Sequence, residues 1–322
     1  MDQIPAKKIR FSTDDFPEHK RIDAYREIYS RTIVKHDVEP IGDQPFLFEA
    51  DLRSLPGLGL ASSAFSACRR WHAAEHIDSD DLLLGVALSG GCVLRQRGLE
   101  AVIGQGEAVL ASAAHPIDVI TGTPTRHIAL RLPRAIIKTR IADLDACYAR
   151  RLPSNTEGLP LLISYLDAFR VTELTNPAFC DLVVSHVHDL VALLLGAKGD
   201  SRYLAQRRGG RAARLAAILR EIERRCGDPG LSVVTIALLL GVTPRYVHLL
   251  LEETGKSFTH HVLEWRLERA AALLRDSLWR DRNIADIAAE AGFTDLSYFN
   301  RAFRRRYGAT PSDIRAAAAR HY

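Results

Sequence analysis

Two short stretches of this sequence hold residues whose types and spacing could do chemistry. "HAAEH", residues 72 to 76, matches the pattern H-x-x-E-H. In that pattern two histidines four apart on a helix hold zinc, and the glutamate acts as general base. "FNRAFRRRYG", residues 299 to 308, carries Arg301, Arg304, Arg305 and Arg306, and guanidinium forks pair well with phosphates and guanine edges. The zinc reading requires a helix, yet the residues before it, "LGLASSAFSACRRW", read as a strand entering a loop, and no third ligand with recognisable context follows. A zinc-dependent hydrolase is therefore the weaker alternative. There is no glycine-rich phosphate loop, nucleophile elbow or acidic metal cluster, and "GQGEA" (104 to 108) reads as a hairpin feature. The expectation is a protein with no catalytic residues, no metal and no cofactor.

The arginine run closes a longer pattern, "IADIAAEAGFTDLSYFNRAFRRRYGATPSDIR" (284 to 315), which predicts a helix, a glycine turn and a second helix. Asn283 can cap the first helix, whose buried side is Ile284, Ile287, Ala288 and Ala291, and Gly292 stands where a left-handed backbone ends it. Phe293 then plugs the turn. Thr294 is read as the cap of the second helix, which buries Tyr298 or Phe299, Ala302 and Phe303. That leaves Leu296, Ser297, Asn300, Arg301, Arg304 and Arg305 on the other face.

A fainter copy, "TIALLLGVTPRYVHLLLEETGKSF" (235 to 258), matches it: Ile236 with Ile287, Ala237 with Ala288, Gly241 with Gly292, Val242 with Phe293 and Thr243 with Thr294. Pro244 falls at the first helical position, where its missing N–H costs nothing. Between the copies, Leu263, Leu267, Ala270 and Leu274 form the stripe of one connecting helix. A lone helix-turn-helix pattern is weak, because any αα-hairpin can imitate it. Duplication on a cationic unit turns the exposed faces into candidate phosphate and base-edge readers in the major groove.

From these residues the chain resembles the DNA-binding domain of AraC/XylS-type transcriptional regulators over about residues 212 to 318. The resemblance is carried by "RL..A..LL" (Arg266, Leu267, Ala270, Leu273, Leu274) and by "IADIA...GF.D.SYF.R.F.R.YG.TP". It implies two modules placing Thr243, Pro244, Arg245, His248 and Leu249, then Leu296, Ser297, Asn300, Arg301, Arg304 and Arg305, in successive stretches of major groove of double-stranded DNA. The sequence departs from the family at Leu249, where many relatives carry arginine, and at Leu251, where phenylalanine is usual. The implied partners are duplex DNA, RNA polymerase and a second copy of the chain; the polar start and the short apolar runs leave the cytoplasm as the expected location.

Charge follows the same division. Residues 201 to 322 hold 21 Lys and Arg against 13 Asp and Glu, a net +8, so the chain's total of +4 leaves −4 for residues 1 to 200. Only the C-terminal part attracts a polyanion. A large acidic first half argues against the second alternative, an effector-independent architectural DNA-binding protein. Five scattered cysteines without a Cys-x-x-Cys pair read as reduced packing residues, and apolar runs such as "LVALLL" (190 to 195) fall short of a membrane span.

Residues 45 to 132 read as short strands broken by Gly, Pro, Asp and Ser, with a helix over 19 to 33 before them. The fold class expected is α+β: an N-terminal cupin-like β-barrel with flanking helices (1–195), a linker (196–211) and an all-α tandem helix-turn-helix domain (212–322). The resemblance extends to the barrel as the ligand-sensing half. Its candidate pocket groups for a small organic effector are Trp71, His72, Arg95, His115 and Arg126. A helical stripe including Leu182, His186, Leu190 and Leu193 is read either as covering the barrel or as a dimerisation face.

Overall fold

The computed structural model describes residues 8–319 apart from 157, 170–175 and 198, with the side chains of 199–210, 277 and 319 left out. The strands, in chain order, are β1 (Lys8–Ser12), β2 (Asp37–Pro40), β3 (Phe48–Leu55), β4 (Leu58–Phe65), β5 (Cys68–His72), β6 (Leu82–Ser89), β7 (Cys92–Gln96), β8 (Leu99–Ile103), β9 (Ala108–Ser112), β10 (Ile117–Thr121), β11 (Thr125–Leu132) and β12 (Arg151–Leu152). The helices are α1 (Glu18–Thr32), α2 (Arg134–Lys138), α3 (Leu159–Ala168), α4 (Pro177–Leu194), α5 (Gly199–Arg225), α6 (Val233–Leu239), α7 (Pro244–Glu252), α8 (Phe258–Arg275), α9 (Ile284–Glu290), α10 (Leu296–Tyr307) and α11 (Pro311–Ala319). The chain divides into two units, Met1–Ile163 with Leu174–Gly210, and Ser164–Glu173 with Arg211–Tyr322. The stretch read as a linker, 196–211, is helical from Gly199 onward.

In the first unit the strands form two antiparallel sheets, ordered β1-β3-β4-β11-β6-β9-β12 and β2-β5-β10-β7-β8. Neither ladder closes on itself, so the expected barrel is two open sheets. Closure would require the edge strands to pair, but β12 is two residues long and Pro40 removes a donor from β2. Alternation along β6 buries Leu82, Leu84 and Val86. Helix α1 covers an aromatic cluster: Tyr25 lies 4.8 Å from Phe48, and Phe48 lies 4.7 Å from Phe65, measured between ring centroids. Each fully buried aromatic contributes roughly 1.5–3 kcal/mol relative to exposure.

Asn176 caps α4 by accepting from the backbone N–H of Ala178 at 3.0 Å, and Pro177 occupies the first helical position. This 18-residue helix is long and apolar enough to cross a membrane, yet 72% of it is buried within the protein. It is held by an Arg140–Asp189 ion pair at 2.5 Å and by His188 Nε2 against the carbonyl of Gly57 at 2.9 Å. Burial favours the packing reading of this stripe. His186, Leu190 and Leu193 are buried inside their own chain, Leu190 with no exposed surface, and Leu182 is half-buried. Periodicity gave an apolar face but could not say what filled it.

The second unit is helical, with α8 at its centre. Leu267, Ala270 and Leu274 of α8 share a core with Ile287, Ala288, Phe299, Ala302 and Phe303. Arg266 Nε donates to the carbonyl of Cys226 at 2.8 Å and its Nη2 to that of Asp228 at 2.9 Å, tying α8 to the end of α5.

Candidate nucleic-acid interface and ligand cavity

Both helical pairs are built by the same local rules. Ser232 and Asn283 cap the first helices, accepting from Thr235 N at 3.2 Å and Asp286 N at 2.7 Å. Each first helix then ends in a Schellman turn. Val242 N donates to Ala237 O at 3.0 Å and Phe293 N to Ala288 O at 2.9 Å, across glycines with φ of +63° and +93°. Ala237 and Ala288 are buried, leaving room for the second helix to cross. In the first pair the chain direction turns by 106° between α6 and α7, which is helix-turn-helix geometry.

The second helices differ by one residue in their approach. Residues 240–243 separate α6 from α7, and 291–295 separate α9 from α10. Thr243 caps α7 through Tyr246 N at 3.2 Å, whereas Asp295, rather than Thr294, caps α10 through Tyr298 N at 2.9 Å. The extra turn residue offsets the correspondence by one: buried Val247, Leu250 and Leu251 match buried Phe299, Ala302 and Phe303. Of the two aromatics left open by sequence, Phe299 goes inward and Tyr298 remains 43% exposed. Arg245 then matches Ser297, His248 matches Asn300, and Leu249 matches Arg301.

All of the residues read as DNA contacts are exposed: Thr243, Pro244, Arg245, His248 and Leu249 on the first module, and Leu296, Ser297, Asn300, Arg301, Arg304 and Arg305 on the second. Leu249 is 46% exposed, so it lies on the recognition face instead of packing inward. Among the described residues, no carboxylate lies within ion-pair distance of Arg245, Arg301, Arg304 or Arg305. Two other arginines of this unit are engaged, Arg211 with Glu253 and Arg269 with Glu290. The faces that a major groove would meet thus carry cations that no described carboxylate engages.

The first unit holds a partly open cavity of about 90 Å³, lined by both sheets and by the end of α1. Its wall is mostly apolar, with Leu84, Val86, Leu94, Ile117 and Val119 among the lining residues, and its polar groups are Tyr29, His36, Arg70, Thr121, Thr125 and His127. None of the five expected pocket residues lines it. Arg126 is exposed, and Arg95 is exposed and paired with Glu100 at 2.7 Å. Trp71 is half-buried, with the Arg69 guanidinium 5.6 Å from its ring. His115 is half-buried away from the cavity. His72 is buried, but its Nδ1 faces the carbonyl of Lys35 at 2.8 Å and its Nε2 that of Ala113 at 3.0 Å. The correction is one of strand parity. On β5, Cys68, Arg70 and His72 alternate inward while Arg69 and Trp71 face out, and on β11 His127 lines the cavity while Arg126 points away. A period-two reading anchored on Cys68 would have found Arg70.

The H-x-x-E-H motif is split between the end of β5 and a 3-10 turn, Ala74–His76. Its histidines do not share a helix face, and Glu75 is exposed. "GQGEA" forms the turn between β8 and β9, where Glu107 accepts from Gly104 N at 2.9 Å and from Arg151 Nε at 2.9 Å.

A two-sheet first unit and a second unit of paired helix-turn-helix modules with cationic faces define a DNA-binding regulatory protein. Residues 25–196 match the AraC-binding-like domain family and residues 229–317 a helix-turn-helix domain family. The chain belongs to the AraC-type transcriptional regulators. It is similar to the transcriptional activator RhrA of Rhizobium meliloti (strain 1021), with 25% identity over 84% of this chain and 87% of that one. With the transcriptional activator NphR of a Rhodococcus species it shares 27% identity over 74% and 70% of the respective chains. The crystal structure of the AraC-like transcriptional activator CuxR shares the fold at a TM-score of 0.51, with 16% identity, 88% of this chain and all of that one covered.

Proposed function

We propose that this regulator activates transcription by presenting the faces of α7 and α10 to adjacent stretches of major groove, in response to a small organic effector held in the first unit. The observation that carries it is the row of exposed cations on α10, Arg301, Arg304 and Arg305, which meet no carboxylate among the described residues. Phosphate contacts give affinity and register, while Ser297, Asn300 and Arg301, in the first half of the helix, read base edges. Leu249 offers the first module apolar contact alone, such as a thymine methyl, with Arg245 and His248 as its polar readers. Activation is supported by the names of the relatives, each called a transcriptional activator, and it implies contact with RNA polymerase. The protein works in the cytoplasm with its DNA and carries no catalytic step. An effector acts by favouring one conformation of the protein over another.

The test is a genome-wide map of where the protein binds, joined to transcript levels with and without its gene. Bound sites upstream of genes whose transcripts fall on deletion are expected. Bound sites whose genes rise on deletion would replace activation by repression, and no reproducible sites would overturn the reading.

A further inference from the structure

The cavity wall carries a cation that no described carboxylate neutralises. Arg70 is 6% exposed on the inner side of β5. Among the described residues no Asp or Glu reaches it. Its Nε is buried without a partner, Nη2 has a long contact, 3.4 Å, to Thr121 Oγ1, and the Tyr25 hydroxyl and Cys68 thiol lie beside the guanidinium. The guanidinium carbon lies 4.0 Å from the Phe65 ring centroid. A guanidinium carries five N–H donors and stays charged in proteins, and a buried charge without a counter-ion is destabilising by several kcal/mol.

The ionisable groups facing Arg70 cannot supply the missing charge. Burial raises the pKa of the thiols of Cys68 and Cys92 and of the hydroxyls of Tyr25 and Tyr29, Tyr29 to about 12, so all four remain neutral. Burial, reinforced by Arg70 itself, holds His36 and His127 well below their usual range. Each of these neutral rings has an unpartnered Nδ1. The polar end of the cavity therefore has one fixed positive charge and spare hydrogen-bonding capacity, and the rest of the wall is aliphatic.

We infer that the effector is a small monocarboxylate, its carboxylate paired with Arg70 beside His36 and His127 and its short apolar body lying against Leu84, Val86 and Ile117. This rests on the reading of the first unit as an effector-binding half. The volume sets the scale of the body: a closed cavity of about 150 Å³ accepts benzene, and this partly open one of about 90 Å³ suits a short chain. A bidentate guanidinium–carboxylate pair with this buried arginine is the strongest single contact the cavity can offer.

The experiment is calorimetry and thermal melting of the full chain with acetate, propionate, butyrate and pentanoate, each beside its neutral amide, and with nitrate. Butyrate or a near homologue is expected to bind at least tenfold more tightly than its amide and to raise the melting temperature. Arg70→Met is expected to remove that binding while leaving the ligand-free melting temperature unchanged or higher, because an uncompensated charge has gone. If Arg70→Met does not fold, the acid–amide comparison on the wild type decides alone. Equal binding of acid and amide, nitrate binding as well as butyrate, or a ligand-free Arg70→Met protein that folds but melts far below wild type would overturn the assignment. Binding of neutral compounds without any acid would refute the carboxylate and keep the effector pocket. Binding of neither would remove the effector reading and this assignment with it.

Discussion

Arg301→Ala separates sequence reading from general DNA affinity. Arg301 is exposed and has no ion pair to break, its helix keeps the Asp295 cap, and the core behind it (Phe299, Ala302, Phe303) is untouched. The folded protein should therefore lose no more than about 0.5 kcal/mol of stability. On DNA, a bidentate arginine–guanine contact supplies about 1–3 kcal/mol of discrimination, which corresponds to roughly 5- to 150-fold between the preferred base and its rivals. Arg304→Ala is the comparison: one fewer phosphate contact should flatten the log–log salt dependence by about 0.9 and leave the preferred sequence alone. Leu249→Ala should change choice little, or at a thymine. Selection from a random duplex pool, followed by titration of the best site and single-base variants at several salt concentrations, measures all three. The reasoning is refuted if Arg301→Ala weakens every sequence equally, or if Leu249→Ala rewrites the preferred bases as thoroughly as Arg301→Ala.

The two turn glycines should respond unequally. A Cβ on Gly292 would come 2.4 Å from the Cys226 carbonyl oxygen, whereas one on Gly241 meets nothing within 4 Å. Gly241→Ala should thus cost about 1–2 kcal/mol of left-handed strain, and Gly292→Ala clearly more; equal denaturation midpoints would contradict this. Leu190→Asp puts a charge where there is no exposed surface and should cost upwards of about 4 kcal/mol, so a folded Leu190→Asp protein of altered oligomeric mass would restore the dimerisation face. Burial lowers the folded pKa of His36 and His127 and takes that of His261 to about 3, from an ordinary 6.5. Below about pH 6.5 the unfolded chain then binds more protons than the folded one, so stability is complete above that pH and falls beneath it, by up to about 1.4 kcal/mol per pH unit for each histidine. Melting at pH 7.5 and 5.5 should show the fall, and it should be smaller in His261→Asn; a flat or rising profile would count against it.

The helix-turn-helix modules were legible in the sequence because their determinants are local. Caps, left-handed glycines, small residues at the crossing and three-four spacing act within a few residues of one another, and Asn283, Gly241, Gly292, Ala237 and Ala288 stand as read. The one slip, Thr294 for Asp295, came from assuming equal turn lengths, and adjacent residues that can both cap differ too little for sequence to choose. In the first unit the strands were legible but their partners were not, since pairing joins residues far apart in sequence, such as Arg70 of β5 with Val119 of β10. Strand parity decides which of Arg70 and Trp71 faces the cavity, and a shift of one residue reverses every side chain. Likewise, the α4 stripe announced that it would be buried, and its environment within the fold determined by what. Sequence alone settled the local geometry of the DNA-reading helices and the excess of positive charge around them; the open sheets, the enclosed Arg70 and the filling of α4 were decided by tertiary structure, because each depends on contacts between distant segments that leave no local mark.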